Sequence, residues 1–467
     1  MDSGYAAHMS EMTSESENRS ADVKATAASE SEEGVRLWNR GFIGLMVTQI
    51  SGATNDNLLK AILLVVMVDS TRPEWFELMG PGSTGWISFA FSAPFVLLLG
   101  YAGQIADRYP KNRVVVATRI AEVPIAILAM VGFMLNSPWL VIAAFLLLST
   151  ESAFFSPSKY GVIREYVGRA ELSRANGFIN GTTNIAIIAG TAIGGYLLTV
   201  GMGGAGLVLV IMALIGLVSS WLMPYTPAIN PTLRLSLNPF QSYIAGIRSM
   251  REVAHDHKGR SVLWTSVLAW AAFFMFAIVL LNIIPQYKEP MGLTEGQTST
   301  LLAAVGIGIG VGCVGAAMLS GKKIKLMFVP LGGFVMGLAI IALALVTLSG
   351  WKLPLWFAWM SLILIGMAGG FFLVPLQAVQ QALAKSTFRA RVVGTANALS
   401  FVYIALGSAG QALLMQVPGI TAFHMMLGCG IGMLLLVVWI MTWGRGMFSY
   451  PIDRQAEDED VELEGAY

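Results

Sequence analysis

Charged residues are scarce in this chain. Asp, Glu, Lys and Arg make up 12% of its 467 residues, where soluble domains carry about 25%. An ordinary water-covered surface is excluded. An excess of one charge sign is missing too. The 29 basic and 28 acidic residues leave a formal net charge of +1, so no overall field favours nucleic acid. Cys313 and Cys429 are the two cysteines, both in apolar Gly-rich runs, which excludes a disulfide framework or a cysteine metal site. His255-Asp256-His257 has ligand chemistry, yet no further ligand stands nearby, and a solvated loop is the competing reading. Phosphate-cradling loops, nucleophile elbows and metal clusters are all missing, so neither an enzyme nor a cofactor is expected. The chain opens without a signal-peptide pattern.

Apolar residues are abundant, at 55% of the chain. Hydropathy places twelve spans near 41–69, 83–103, 112–135, 138–157, 173–199, 203–223, 261–287, 297–320, 326–349, 354–383, 391–416 and 419–443. The expected fold is an all-α membrane protein with twelve transmembrane helices in two six-helix, pseudo-symmetric bundles. The divisions are a disordered tail at 1–40, a first bundle at 41–224, a central loop at 225–260, a second bundle at 261–444 and an acidic tail at 445–467. Within the loop, Asn238-Pro239 reads as a helix start, and Phe240, Ile244, Ile247 and Met250 recur at helical spacing. That pattern predicts an amphipathic helix on the membrane surface.

Basic residues fix the expected orientation. Only Arg72, Lys288 and Lys352 fall in odd-numbered connections, whereas the even-numbered ones carry clusters such as Arg108, Lys111 and Arg113. Positive loops stay inside, so both termini and the central loop are expected to be cytoplasmic.

The two halves echo each other. Phe154-Phe155-Ser156-Pro157 matches Phe371-Phe372-Leu373-Val374-Pro375, and Ala175-Asn176 matches Ala396-Asn397. Such duplication puts a binding site near the midplane between the halves. The connection Gly103 to Arg113, holding Asp107, Arg108, Lys111 and Arg113, resembles the signature loop of the major facilitator superfamily. The finer resemblance is to bacterial lysophospholipid transporters and to the membrane domain of their acyltransferase-fused relatives. It rests on Gly52-Ala53-Thr54-Asn55-Asp56-Asn57, Phe154 to Gly161, Glu171 to Gly177, Leu319 to Lys325 with Val329 to Gly332, Val374 to Ala378, and Arg391 to Gly394. The resemblance implies a flippase that moves lysophospholipids, chiefly the phosphatidylethanolamine type, from the outer to the inner leaflet of a bacterial inner membrane. It implies membrane lipids and a separate acyltransferase as partners. It also makes Gly103, Asp107, Arg108, Lys111 and Arg113 a conformational gate, with Asp107 meeting the second half when the inner side closes. Residues 261–287 hold no charge, a departure from members with a basic residue in the seventh helix.

Polar groups at membrane depth are concentrated in the first half. Asp56 and Lys60 share a helix face and are able to pair. Charges at this depth mark function by default, and a structural ion pair is the alternative. Asp56, with Asn55 and Asn57 beside it, is the candidate for a headgroup amine or coupling cation. Lys159 is the candidate for the phosphate, or else a residue snorkelling to the interface. Tyr160 follows it, and Pro157 is expected to kink or end that helix. Arg119 and Glu122 are spaced to pair, and Glu151 is left to meet Lys60 or Arg119, or to titrate. Asn176, Asn180 and Asn184 form a stripe that lines a cavity or joins helices. In the second half Asn282, Gln286, Gln377, Gln380, Gln381, Asn397 and Gln411 are the interior polar groups, and Phe273, Phe274, Phe276, Ile278, Phe371 and Phe372 offer an apolar wall. A proton-coupled carrier of a small cationic or drug-like solute is the alternative function, and a membrane scaffold is a third.

Overall fold

A computed structural model describes residues 37–167, 171–236, 238, 241, 243–245, 247, 248, 257–320, 324–348, 354–383 and 389–450. The tails at 1–36 and 451–467, Arg169, Pro239, Phe240, Met250, His255, Asp256, Lys322, Lys323, Lys352 and Lys385 lie outside them. Of the His pair, only the backbone of His257 is described.

Twelve long helices carry the described chain. They are α1 (Arg40–Val66), α2 (Ser83–Arg108), α3 (Lys111–Met134), α4 (Pro138–Val167), α5 (Leu172–Thr199), α6 (Met202–Ser220), α7 (His257–Ile283), α8 (Glu295–Ser320), α9 (Phe328–Leu348), α10 (Leu355–Ala382), α11 (Arg389–Leu414) and α12 (Ala422–Thr442). Among the described residues, eleven of them are long and apolar enough to cross a membrane. The remaining one, α1, has 27 residues and so spans about 40 Å, more than the ~30 Å hydrocarbon core. Its hydropathy is lowered by the polar run from Gln49 to Lys60. Asn39 caps α1, its side chain accepting from the Phe42 amide at 3.0 Å.

Helix α4 is longer than its hydropathy suggests. It continues ten residues past Pro157, which lies inside the helix. Interior proline costs about 3 kcal/mol. Here Phe155, Val162, Ile163 and Tyr166 are buried on both sides of it, and their packing offsets that cost. Lys159 and Tyr160 therefore project from a continuous helix.

Packing repeats between the halves. In the first, α1 packs on α4, α5 and α6, α3 on α4 and α6, and α2 on α4. In the second, α7 packs on α10, α11 and α12, α9 on α10 and α12, and α8 on α10. Adding six to each helix number maps one set onto the other. The halves meet along α5–α8 and α2–α11, which are exchanged by the same operation.

The seam between them is tight at the end carrying the odd-numbered connections. There Gly85 faces the Ser408 carbonyl so closely that a Cβ would stand 2.7 Å from it. Ser88 donates to Asn282 at 2.5 Å, and Asn282 to Gln411 at 2.9 Å. Lys288 pairs with Asp69 at 2.8 Å and Arg72 with Glu295 at 2.9 Å. At the opposite end Gly103, Gly177 and Gly394 face open space. The molecule is thus sealed at its odd-numbered end and open at the other.

Candidate functional site

The interior of the first half holds a charge network on α1, α3 and α4. Arg119 is 1% exposed and Glu122 is fully buried. Arg119 donates through Nη1 to Glu122 and through Nη2 to Glu151 Oε1 at 2.8 Å. Its guanidinium lies 4.4 Å from the centre of the Phe155 ring. The expected Arg119–Glu122 pair is present, and Arg119, not Lys60, is the partner of Glu151. Asn55 is fully buried and donates to Glu122 at 2.8 Å and to the Leu209 carbonyl at 3.2 Å. Gly52 makes room for the guanidinium, since a Cβ there would collide with Arg119 Nη1.

Asp56 and Lys60 do not pair. The half-buried Asp56 accepts from Ser152 on α4 at 2.6 Å through Oδ2, while Oδ1 has no hydrogen-bond partner among the described residues. Lys60, one turn on, points its ammonium at the Phe91 ring on α2, 5.0 Å from its centre. The carboxylate is drawn to a hydroxyl on one neighbour and the amine to a ring on another, which parts them. Asn57 donates back to the Ala53 carbonyl at 2.8 Å. Lys159 is 7% exposed. Its ammonium sits 4.5 Å from the Tyr160 ring and 6.0 Å from the Phe155 ring. Tyr160 donates to Asn180 at 3.4 Å. Asn176 is half-buried, and Asn180 and Asn184 are exposed. Asn176 lies inside α5, whose first residue is Leu172.

Two kinds of charge result. Arg119, Glu122 and Glu151 pair with one another, although Arg119 Nε and Glu151 Oε2 are buried without a hydrogen-bond partner among the described residues. Asp56, Lys60 and Lys159 have no ion-pair partner among the described residues. By helix rise, Lys60 lies about 6 Å from Asp56 toward the sealed end, and Lys159 about 10 Å from Ser152 toward the open end. The sequence alone did not single out Ser152, Gly52 or Phe91. A small residue opposite the charged stretch was the available signal for Gly52, and the other two carry none.

The second half differs from its expected lining. Asn282, Gln286 and Gln411 belong to the sealed seam, with Gln286 donating to Thr84 at 3.3 Å. Gln380 is buried and donates to the Ser266 carbonyl at 3.4 Å. Gln377 is half-buried, and Gln381 and Asn397 are exposed. Phe273 and Phe372 stack on each other at 5.6 Å inside the second bundle, nearly or fully buried. They are core, because aromatic pairs of this size fill the space between α7 and α10. Phe274, Phe276 and Phe371 are half-buried.

In the gate loop the Asp107 side chain is exposed and its carbonyl accepts from the Asn230 amide at 2.9 Å. Lys111, which is 2% exposed, pairs with Glu165. Arg108 lies over Tyr109 and Arg113 over Tyr225. These contacts stay within the first half and the segment that follows α6.

The profile of the Major Facilitator Superfamily matches residues 39–409. The lysophospholipid transporter LplT of Pectobacterium carotovorum subsp. carotovorum is 29% identical over 387 residues, which cover 83% of this chain and 87% of that protein. LplT of Photorhabdus laumondii subsp. laumondii is 27% identical over 414 residues, covering 87% and 96%. Among solved structures, a POT family transporter in complex with a thioalcohol-conjugated peptide superposes with a TM-score of 0.69 at 12% identity, covering 87% of this chain and 96% of that one. A bacterial homologue of the human lysosomal transporter Spinster, inward-facing and unoccupied, has a TM-score of 0.59 at 15% identity, covering 90% and 98%.

Proposed function

The chain belongs to the major facilitator superfamily, and from that premise we propose that it is a lysophospholipid flippase working by alternating access. One observation carries the reading: an acid and two amines at membrane depth in the first half, Asp56, Lys60 and Lys159, lack ion-pair partners among the described residues. Uncompensated charges are costly there and persist for a ligand or a pathway. An ethanolamine phosphate headgroup complements them, its amine meeting Asp56 Oδ1 and its phosphate Lys159 or Lys60. Asn55, Asn57, Glu151, Tyr160, Asn176 and Asn180 complete the site, with Asn55 and Glu151 acting through the Arg119 network. The second half opposes this wall with α7, uncharged over residues 261–283, and α10, which holds no charged residue, and the acyl chain lies along that side.

The ladder Lys60, Asp56, Lys159 gives a headgroup successive partners from the sealed end to the open one. Basic even-numbered loops put the open end and both termini in the cytoplasm of a bacterial inner membrane, so transport runs from outer to inner leaflet. There a separate acyltransferase takes the product. Gly103, Asp107, Arg108, Lys111 and Arg113 form the inner gate. Apart from the relatives' names, the same alternation of charge favours a zwitterionic lipid over a small cation, for which Asp56 alone would suffice.

The test is a competition series in vesicles: one headgroup with varied chain length, then one chain with varied headgroup. Transfer of a chain out of lipid changes little free energy, whereas an unpaired buried charge is costly. Headgroup therefore sets specificity. Steep dependence on chain length with indifference to headgroup would reject the arrangement.

A further inference from the structure

A concavity stands away from the transport site. It is a pocket of about 660 Å³ where the start of α1, the end of α4 and the segment after α6 meet, lined by Arg40, Glu165, Pro224, Tyr225, Pro227 and Ile229 among others. The volume lies within the range of ligand sites. Contacts between distant parts of the chain hold its walls. Asn39 donates to the Tyr166 carbonyl at 2.6 Å, and the Tyr166 hydroxyl to the Pro224 carbonyl at 2.9 Å. Asn112 and Thr226 exchange two hydrogen bonds at 3.3 Å.

Its chemistry has two signs. Arg40 is exposed and has no ion-pair partner among the described residues. Glu165 gives Oε1 to Lys111, and its Oε2 makes no hydrogen bond among the described residues. Pro224, Pro227 and Ile229 supply an apolar side. Around it Trp38, Trp221 and Tyr225 are 51%, 60% and 61% exposed, the ring arrangement that lies at headgroup level.

We infer that this pocket binds the headgroup of a diacyl phospholipid bearing a phosphate and a primary amine, drawn from the leaflet at the open end. The planar guanidinium of Arg40 takes the phosphate through paired N–H donors. The free oxygen of Glu165 takes the ammonium, and the glycerol end lies on the prolines and Ile229. The bound lipid touches the wall to which the gate loop is fastened. Lys111 pairs with Glu165, Asn112 bonds Thr226, Arg113 lies over Tyr225, and the Asp107 carbonyl accepts from Asn230.

The experiment releases the full chain from vesicles holding equal parts of phosphatidylethanolamine, phosphatidylglycerol and phosphatidylcholine, with retained lipid read by native mass spectrometry. Wild type keeps phosphatidylethanolamine in preference to the others. Arg40→Gln, a surface change that leaves the thermal transition in place, lowers that retention about tenfold, as loss of one charged hydrogen-bonding partner implies. Glu165→Gln keeps lipid bound but removes the preference over phosphatidylglycerol. Arg174→Gln, exposed and paired with Glu171 among the described residues, changes nothing. Asp56→Asn keeps full retention, which separates this pocket from the transport site. Retention that falls with Asp56→Asn and not with Arg40→Gln overturns the inference, as does equal retention of the three lipids. Binding of soluble phosphoethanolamine that Arg40→Gln abolishes, with no lipid retained, overturns the membrane source. A chain that retains lipid here but carries no lysolipid leaves this site standing and removes only the transport reading.

Discussion

Glu151 accepts from Arg119 at 2.8 Å across the contact of α3 and α4. The bond joins two elements through one guanidinium that also serves Glu122. Two carboxylates then depend on one cation in a dry interior.

Removing that cation is the most damaging single change in the first half. Arg119→Met leaves Glu122 and Glu151 buried without a cation, Glu122 keeping its hydrogen bond from Asn55, and breaking a buried pair this way costs about 3–5 kcal/mol. Arg119→Met with Glu122→Gln and Glu151→Gln restores most of the loss, because no uncompensated charge remains. Thermal transitions of the purified variants in detergent measure both. A triple variant no more stable than the single one rejects the network.

Gly52→Ala acts on the same group from α1. The methyl would occupy the place of Arg119 Nη1, so the guanidinium moves off its carboxylates or the helices part, at about 1–3 kcal/mol for overpacking. Gly177→Ala, where the space is open, is neutral or stabilising, since Ala is the better helix former. Equal behaviour of the two variants excludes the notch.

Much of the fold was legible because a bilayer demands long apolar helices, and the basic loops divide them evenly. The twelve spans follow from that, and α4 was cut short only because Pro157 reads as a break when packing is unseen. The site was legible to the level of residue type. Asp56, Lys60, Glu151 and Lys159 stand out as charges in apolar runs, but which charge meets which depends on helices far apart in sequence. Ser152 takes Asp56 across 96 positions, and no local spacing announces that. Asn282, Gln286 and Gln411 read only as interior polar groups, because a polar residue in a span carries the same signal whether it faces a cavity or seals a seam.

The sealed end has its own dependence on pH. Partial burial pushes the Asp69 carboxyl up, but hydrogen bonds from Lys288 and Thr71 outweigh it and hold the group below its usual value. A carboxyl with a depressed pKa stabilises the paired state above its unpaired pKa and loses that contribution as pH falls through the lower, paired value. The Asp69 contribution to closure is therefore constant between about pH 6 and 8 and is lost below about pH 4. Asp69→Asn removes the acid dependence and weakens closure at neutral pH by about 1–3 kcal/mol, between the exposed and buried limits for an ion pair. Ser299 is fully buried at this seam, so maleimide labelling of Ser299→Cys, in a chain lacking Cys313 and Cys429, reports opening. Labelling that rises steadily from pH 8 to pH 6 contradicts this assignment.

Asp56 and Lys159 should separate the two charges of the headgroup. Asp56→Asn keeps the shape and the Ser152 contact but removes the negative charge that faces the amine. Transport of lysophosphatidylethanolamine falls at least about tenfold, the effect of one charged hydrogen bond. Lysophosphatidylglycerol, which has no amine, loses much less. Lys159→Met removes the phosphate partner and lowers both lipids alike. Lys60→Met, nearer the sealed end, slows uptake from the outer leaflet more than it weakens binding from the open side, because the headgroup reaches it only when the seam opens. Insertion and thermal transitions stay near wild type for all three, since none of these charges belongs to the Arg119 network. Initial rates in vesicles with the two lipids, together with binding to the open side in detergent, give the comparison. Equal loss of both lipids in Asp56→Asn removes the amine from this carboxylate, and a wild-type rate there returns Asp56 to a purely structural role.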